Sequence, residues 1–195
     1  AARRLVIAKL QIITYEEFLP ALIGPDAIPP YAGYDDTVNP TIFNEFSVAA
    51  YRMGHSMVND ELLRLDENLA PIAEGALALR DAFFSAPTHL QAENDLDPVL
   101  RGLANQTHQR LDAKIVNNLR NFLFGMPGQG GFDLAALNIQ RGRDHGVPSY
   151  NDVREAMGLS RGESFVEITA DVTLQDALFD AYGNVDDIDL WVGGL

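Results

Sequence analysis

One histidine in the chain stands beside residues that favour ligand binding. It lies in the stretch YRMGH, Tyr51–His55, within a segment whose apolar residues recur at helical spacing. Arg52 precedes His55 by three residues, so its charge should disfavour protonation of the imidazole and leave a ring nitrogen free to bind. Gly54 is costly inside a helix and leaves room for a flat or bulky group. His55, Arg52 and Gly54 therefore form a candidate ligand site, although a hydrogen-bonded core histidine fits the same residues.

A second candidate site lies in the stretch ALNIQRGRDHG, residues 136–146. On a helix, Asn138 and Arg141 share a face at spacing i and i+3, and their apolar neighbours indicate partial burial. A buried amide beside a guanidinium group requires partners. The pair fits either a structural hydrogen-bond network or a site in which Arg141 binds an anionic group. His145 is assigned instead to the C-terminus of the helix, where its ring interacts favourably with the helix dipole.

Helices must position both candidate sites. Asn39-Pro40 predicts the start of a largely buried helix over residues 40–58, which carries the histidine. The stretch Ala1–Ile23 predicts another helix, amphipathic to fully buried, that Pro20 bends or ends. ELLRL and NLAPI, on either side of Asp66, predict a small hairpin. With strand signals nearly absent, the fold class is mainly α. Six more helices are predicted at 74–85, 97–105, 111–123, 133–145, 149–157 and 173–182.

Composition limits the kind of protein. The 195 residues are 47% hydrophobic, enough for one domain with a core or a large part of one. A formal net charge of −14 disfavours nucleic acid and anionic lipid as partners. The absence of Cys excludes disulfides and thiolate chemistry, and no apolar run is long enough to span a membrane. Because the chain begins with Ala1 inside a helical pattern, we expect it to be a piece of a longer polypeptide.

Long motifs in the chain resemble those of a known family. ALNIQRGRDHGVPSYNDVREAMGL closely resembles the signature segment of the animal-type haem peroxidases, the superfamily of myeloperoxidase and peroxidasin. AARRLVIAKLQIITYEEFLPALIG, YRMGHSM and DIDLWVGGL resemble three other segments of that family in the same order. The resemblance covers essentially the whole chain. It implies a single partial haem peroxidase domain over residues 1–195, mainly α with little or no β structure.

Carried over residue by residue, the resemblance implies a haem site. His55 matches the proximal histidine that binds the haem iron, and Asn138 matches the asparagine that accepts the hydrogen bond from the other ring nitrogen. Arg52 and Arg141 match positions beside the haem, where guanidinium groups suit the propionate carboxylates. Gly54 lies next to the ligand. The implied cofactor is haem b or a covalently linked haem.

The resemblance also implies what the chain lacks. In the family, the distal histidine, the distal arginine and the calcium-binding loop precede the point that matches Ala1, and the domain continues after WVGG. The chain thus resembles the middle, proximal part of the domain, with the rest of the peroxidase domain as its partner and any calcium bound outside it. Vertebrate members carry a Cys near the position of Met157. Its absence is typical of a bacterial-type member, for which we expect a secreted or extracellular location.

The implied function is that of a haem-dependent peroxidase, which uses hydrogen peroxide to oxidise halide, thiocyanate or organic donors. The isolated piece is expected to be inactive. One alternative is a fatty-acid dioxygenase of the related cyclooxygenase-like branch, whose radical-forming Tyr precedes the proximal His by three residues; here that position is Arg52, and Tyr51 is rotated from it by about 100° on a helix. Another alternative is a non-catalytic peroxidase-fold module in a larger secreted protein. The joint presence of His55, Asn138 and Arg141 disfavours that module.

Overall fold

The structure is a computed structural model that describes residues 1–83, 96–125 and 131–195. These residues divide into two units, 1–41 and 42–195. Within the described ranges, β structure is limited to one two-stranded sheet and three isolated bridges, so the mainly α class is confirmed. None of the helices in these ranges combines the length and hydropathy that crossing a bilayer requires.

The first unit is built on one helix with a wider section in its middle. The α-helix Ala2–Ile12 continues as a π-helix, Ile13–Phe18, and then as the α-helix Leu19–Ile23. The wider turns lie directly before Pro20, which has no N–H and whose ring crowds the carbonyl of the preceding turn. The helix therefore passes through Pro20 and does not stop there. It ends at Gly24, where φ is 102°.

The apolar side of this helix is exposed within its own unit. Leu5, Val6 and Leu10 are 60%, 56% and 59% exposed, and no residue of the first α-helix is buried. The expectation of a buried helix is therefore wrong for the described residues of this unit. Residues 24–41 form no helix or strand against which that side could pack.

The second unit consists of short helices joined by loops. Residues 79–83 are helical, and two 3-10 helices occupy Ala50–Met53 and Val185–Asp187. The remaining α-helices of this unit are Asn44–Val48, Gly54–Met57, Leu96–Asn105, Asn117–Arg120, Leu134–Asp144, Tyr150–Ala156, Phe165–Ile168, Val172–Tyr182 and Leu190–Gly193.

Four predicted helices have observed ends within two residues of the predicted ones. They are those predicted at 97–105, 133–145, 149–157 and 173–182. Asp133 and Ser149 cap two of them, because their side chains accept hydrogen bonds from backbone N–H groups of the first turn. The fourth is capped by Asp171, and not by Thr173, so it starts earlier than its sequence pattern indicated.

Two other predicted helices are shorter than expected. The one predicted at 111–123 is reduced to Asn117–Arg120, because Asp112 accepts a hydrogen bond from the backbone of Lys114 and forms a turn there. The one predicted at 74–85 is wrong up to residue 78, and residues 84 and 85 lie outside the described ranges.

A small antiparallel sheet replaces the start of that helix. Strands Glu61–Leu62 and Leu77–Ala78 pair with Leu62 opposite Leu77. Between them lies the hairpin predicted around Asp66, whose carboxylate accepts hydrogen bonds from the backbone N–H groups of Asn68 and Ala70 at 2.8 and 2.9 Å. The sheet packs on a buried cluster of three leucines, Leu79, Leu119 and Leu123.

The helix predicted over residues 40–58 is wrong as a single element. The chain becomes helical only at Asn44, breaks at Ala49, where φ is −128° and ψ is −73°, and continues as a 3-10 helix followed by a short α-helix. Asn39 does not cap a helix, because its side chain accepts a hydrogen bond from the backbone N–H of Thr41 in a turn. The apolar residues that precede Asn44 are exposed.

The helix Leu96–Asn105 lies directly against the backbone of the hairpin. A Cβ atom added to Gly102 would be 1.8 Å from the carbonyl oxygen of Leu63. Next to it, the Gln106 side chain donates to the carbonyl of Glu61 at 2.9 Å and accepts from the N–H of Leu63 at 3.2 Å. The contact therefore leaves no room for a side chain at position 102.

We predict that Gly102→Ala lowers the free energy of unfolding by about 1–3 kcal/mol, because the added methyl group must displace the Leu63 carbonyl. Chemical denaturation followed by circular dichroism measures the change. Gly142→Ala is the matched control, since it lies inside a helix and its added methyl group meets no atom within 4 Å. That substitution should leave stability unchanged or raise it. Equal losses in both variants would contradict the close contact at Gly102.

Candidate functional site

Two segments that are distant in the sequence meet beside His55. Residues 44–57, here called the His55 segment, pack on the helix Leu134–Asp144, here called the Asn138 helix. Asn44 donates from its side-chain amide to the carbonyl of His145 at 3.2 Å, and its amide oxygen lies 3.2 Å from Nδ1 of the same residue. His145 thus occupies the helix end that the sequence predicted, and it also fixes the start of the His55 segment.

The backbone around His55 is held on both sides. Ser56 is 2% exposed and donates its hydroxyl to the carbonyl of Met53 at 3.0 Å. The carbonyl of Met57 accepts from the N–H of Gln109 at 2.9 Å. The imidazole itself is half-buried. Its orientation is therefore set by the fixed backbone and by the contacts of its two ring nitrogens.

One ring nitrogen of His55 contacts a fully buried amide. Asn138 is 0% exposed, and its Nδ2 lies 2.9 Å from Nδ1 of His55. Its Oδ1 accepts a hydrogen bond from a terminal nitrogen of Arg52 at 3.3 Å. The structure therefore brings together three of the predicted site residues, His55, Asn138 and Arg52.

The Asn138 amide lies between Arg52 and His55, with its oxygen toward Arg52 and its nitrogen toward the ring. That Asn138 accepts a hydrogen bond from Nδ1 of His55, as the family resemblance implies, stays a prediction. Arginine has no acceptor, so an amide between Arg52 and His55 must turn its oxygen to Arg52. The roles of donor and acceptor between this amide and Nδ1 depend on the tautomer of the ring.

Arg52 is held by its backbone as well as by its side chain. Its Nε donates to the carbonyl of Ser47 at 3.3 Å, within the His55 segment. Its own carbonyl accepts from the indole N–H of Trp191 at 3.2 Å, and Trp191 is 5% exposed. Sequence reasoning missed Trp191, although it is the only Trp of the sequence and stands in the DIDLWVGGL motif.

Arg141 does not join these three residues. It lies one turn after Asn138 on the same helix and is exposed, and its guanidinium group makes no hydrogen bond or ion pair with any residue that the structure describes. Its backbone carbonyl accepts from the N–H of His145 at 3.1 Å. Gly54, beside His55, also borders open space, since a methyl group there would meet no atom within 4 Å. Among the described residues, the geometry thus offers an unpaired guanidinium group one helical turn from Asn138 and open space beside the backbone of Gly54.

A second polar cluster ties the Asn138 helix to the segment that carries Trp191. Asp189 accepts hydrogen bonds from Nε and a terminal nitrogen of Arg143 at 2.9 and 2.7 Å, and from the hydroxyl of Tyr182 at 2.9 Å. Burial, followed by the bond to Asp189, raises the pKa of Tyr182 well above its usual range. The cluster is thus a fixed link between two elements of the site, and sequence reasoning did not identify it.

The environment of His55 favours the neutral ring. Burial lowers the pKa of His55 from its usual value of 6.5, and the charge of Arg52 lowers it further, while the hydrogen bond with Asn138 acts in the opposite direction. Burial removes water from the charged form, and a cation nearby repels it. A neutral imidazole keeps one nitrogen lone pair, which is the state that can bind a metal ion.

This pKa shift predicts how stability depends on pH. Because the folded pKa of His55 lies below 6.5, the unfolded chain binds more protons than the folded one as the pH falls through that region. His55 should therefore lower the free energy of unfolding below pH 6.5 and have no such effect well above it. Denaturation at a series of pH values should give a shallower acid loss for His55→Gln than for the parent protein. The control is His108→Gln, on an exposed loop, and an equal effect in both variants would contradict the assignment.

Comparisons with known proteins agree with this fold. Residues 1–195 match the family described as animal haem peroxidase. Peroxinectin A from Dictyostelium discoideum is 42% identical over 194 residues, which cover 100% of this chain and 35% of that protein. Thyroid peroxidase from Mus musculus is 43% identical over 204 residues, which cover 100% of this chain and 22% of that protein.

A solved structure of an animal-type peroxidase relative has a similar fold. Peroxidase A from Dictyostelium discoideum superposes with a TM-score of 0.86 at 41% sequence identity, covering 94% of this chain and 34% of that one. The chain spans about a third of these Dictyostelium proteins and a smaller share of the mouse enzyme. Because the family match extends over residues 1–195, the whole length of this chain, the chain belongs to the animal haem peroxidases.

Proposed function

We propose that the protein containing this chain is a haem peroxidase, and that this chain supplies the proximal side, where the iron is bound. The observation that carries the proposal is the contact of a fully buried Asn138 with Nδ1 of His55. This contact occupies one ring nitrogen and leaves Nε2 without a hydrogen bond to any described residue. A histidine fixed through one nitrogen and free at the other is suited to axial ligation of iron.

The surroundings of His55 fit a flat anionic cofactor. Gly54 leaves open space beside the ring, and the exposed Arg141 lies one helical turn from Asn138 with its guanidinium group unpaired among the described residues. In this proposal His55 binds the iron, and Arg141 and Arg52 bind the propionates of haem b or a covalently linked haem. When bound, the haem supplies the iron that reacts with peroxide and takes electrons from a donor.

The proposed reaction uses hydrogen peroxide to oxidise a halide, thiocyanate or an organic donor. The residues described here bind and orient the cofactor, and the rest of the peroxidase domain supplies the distal side and any calcium site. The names of the relatives support the class: they include thyroid peroxidase and the chorion peroxidase of Drosophila melanogaster. A bacterial-type origin and a secreted or extracellular location stay predictions.

No observation favours the dioxygenase alternative. Tyr51 is 70% exposed, and its ring packs against that of Phe46 at a centroid distance of 5.4 Å. The position three residues before His55 belongs to Arg52, whose guanidinium group contacts Asn138. A radical-forming Tyr at that position has no counterpart here, which supports the peroxidase branch.

The direct test replaces the proposed ligand. In the full protein, His55→Gln should abolish the absorption spectrum of histidine-ligated haem and reduce peroxide-dependent turnover by about 10³-fold or more. Gln keeps a polar side chain beside Asn138, so loss of folding is less of a concern than with Ala. His108→Gln is the matched control, because it removes an exposed imidazole from a loop. An unchanged Soret band in His55→Gln would rule out His55 as the haem ligand. A parent protein that binds haem through a histidine but shows no peroxide-dependent turnover would favour the non-catalytic module.

A second prediction concerns replacement of the buried, neutral amide of Asn138 by a negatively charged carboxylate. Asn138→Asp places a carboxylate against Nδ1 of His55, which gives the ring imidazolate character and stabilises ferric iron. The ferric/ferrous potential should fall on the order of tens of millivolts, and halide oxidation should decline more than oxidation of easily oxidised phenols.

Spectroelectrochemistry measures the potential, and steady-state rates give the ratio between donors. Asn117→Asp is the control, since it adds the same charge at an exposed position. A mutant Asn138→Asp with the parent's potential and donor ratio would mean that Asn138 serves packing alone.

A further inference from the structure

Asp189 lies at the start of the short helix Leu190–Gly193, here called the Trp191 helix. Its two carboxylate oxygens accept from Nε and a terminal nitrogen of Arg143, at 2.9 and 2.7 Å. A pair with two parallel bonds fixes orientation as well as distance. The Asp189 side chain is only 15% exposed, so it is largely shielded from water. Because Arg143 belongs to the Asn138 helix, the pair fastens the Trp191 helix to that helix.

The Trp191 helix is also closely packed. Asn138 and Trp191 both line a space of only about 10 Å³, room for about one water molecule. A Cβ atom added to Gly193 would be 2.3 Å from the ring of Tyr150. Such close packing transmits a displacement from one element to the next. A shift of the Trp191 helix must therefore move its neighbours.

The indole of Trp191 connects this helix to the His55 segment. Its N–H donates to the carbonyl of Arg52 at 3.2 Å, and the indole is buried. Arg52 lies three residues before His55, so the position of its backbone affects where the imidazole lies. The ring itself contacts Asn138 at 2.9 Å. The Asn138 helix thus holds the His55 segment by two routes, directly through Asn138 and indirectly through Asp189 and Trp191.

We propose that Asp189 is a positioning residue for His55 and acts through Trp191. The inference rests on the proposed haem site, in which His55 binds the iron. A single contact at Asn138 leaves the imidazole free to pivot about that contact, whereas a second attachment at the Arg52 backbone fixes its direction. Loss of the Asp189 charge loosens the Trp191 helix and with it the hold on the Arg52 carbonyl. The bond from His55 to iron then persists, but its length and tilt vary.

Asp189→Asn weakens the pair with Arg143 and removes little else. An amide is almost the same size as a carboxylate, and its oxygen can still accept the hydroxyl of Tyr182, which lies 2.9 Å from the Asp189 carboxylate. A bond to a charged acceptor is roughly twice as strong as one to a neutral acceptor, so the link to Arg143 is the one that suffers. Arg143→Gln removes the other half of the pair at a position that is 59% exposed. It serves as a second variant should Asp189→Asn fail to fold.

The first experiment measures the bond between iron and His55 in the full protein with haem bound. Resonance Raman spectroscopy of the ferrous form gives the iron–histidine stretching band. Asp189→Asn and Trp191→Phe should each shift or broaden this band, and Arg143→Gln should have the same effect. The control is Asp152→Asn, which breaks a surface ion pair with Arg161 of 2.9 Å and should leave the band unchanged. An unchanged band in Asp189→Asn or in Trp191→Phe would overturn the proposal.

The double variant shows whether Asp189 acts through Trp191. If it does, Asp189→Asn adds little to the change in the band that Trp191→Phe alone produces. Two changes that add in full would mean that Asp189 acts by another route, and the proposal would fall. Chemical denaturation of the same proteins separates positioning from stability alone. An Asp189→Asn protein with a lower free energy of unfolding but the parent's band would show a purely structural ion pair, which also overturns the proposal.

His55→Gln tests the haem site separately in the same measurement. It should remove the iron–histidine band altogether. If the band persists, His55 is not the ligand and the proposed function itself is wrong. If the band is lost in His55→Gln but unchanged in Asp189→Asn, the ligand stands and only the role of Asp189 fails.

Discussion

The site depends on one buried amide, that of Asn138, which satisfies two polar groups of the opposite segment at once. Its oxygen accepts from Arg52, and its nitrogen lies 2.9 Å from Nδ1 of His55. An unpaired amide at this depth would cost about 1–3 kcal/mol, so the two segments must stay in register to keep both bonds. The bond between Asn44 and His145 and the bond from Trp191 to Arg52 hold that register at two further points.

Short-range and long-range charge act in opposite directions on His55. The formal net charge of −14 favours protonation of any imidazole. Burial and the single charge of Arg52 nevertheless lower the pKa of this ring. Carboxylates at a distance are screened by water and salt within about 10 Å, whereas Arg52 contacts the same amide as the ring. Burial, and then the nearby charge of Arg52, therefore favour the neutral ring in an otherwise acidic chain.

Local rules predicted the helix that carries Asn138 but not the segment that carries His55. Asp133 is a strong N-cap, and Gly146, with φ of 63°, ends the helix region as its position suggested. Asn39 looks like an equally good cap, yet its side chain is used in a turn with Thr41. Burial is the larger cause of the lowered pKa of His55, and the spacing of Arg52 and His55 predicted the second cause, the charge of Arg52. The contact of Arg52 with Asn138 was not predictable from local spacing, because it joins residues 86 positions apart.

The bond from Trp191 to Arg52 joins residues separated by 139 positions. Contacts of such sequence separation close a long loop, so they form late relative to local helices and hairpins. During synthesis, the turn with Arg52 and His55 is made well before the indole that braces it. The short helices of the His55 segment, which are marginal on their own, are thus completed only when nearly all of this chain has been made. The bond to Arg52 can therefore form only after the DIDLWVGGL motif has been synthesised.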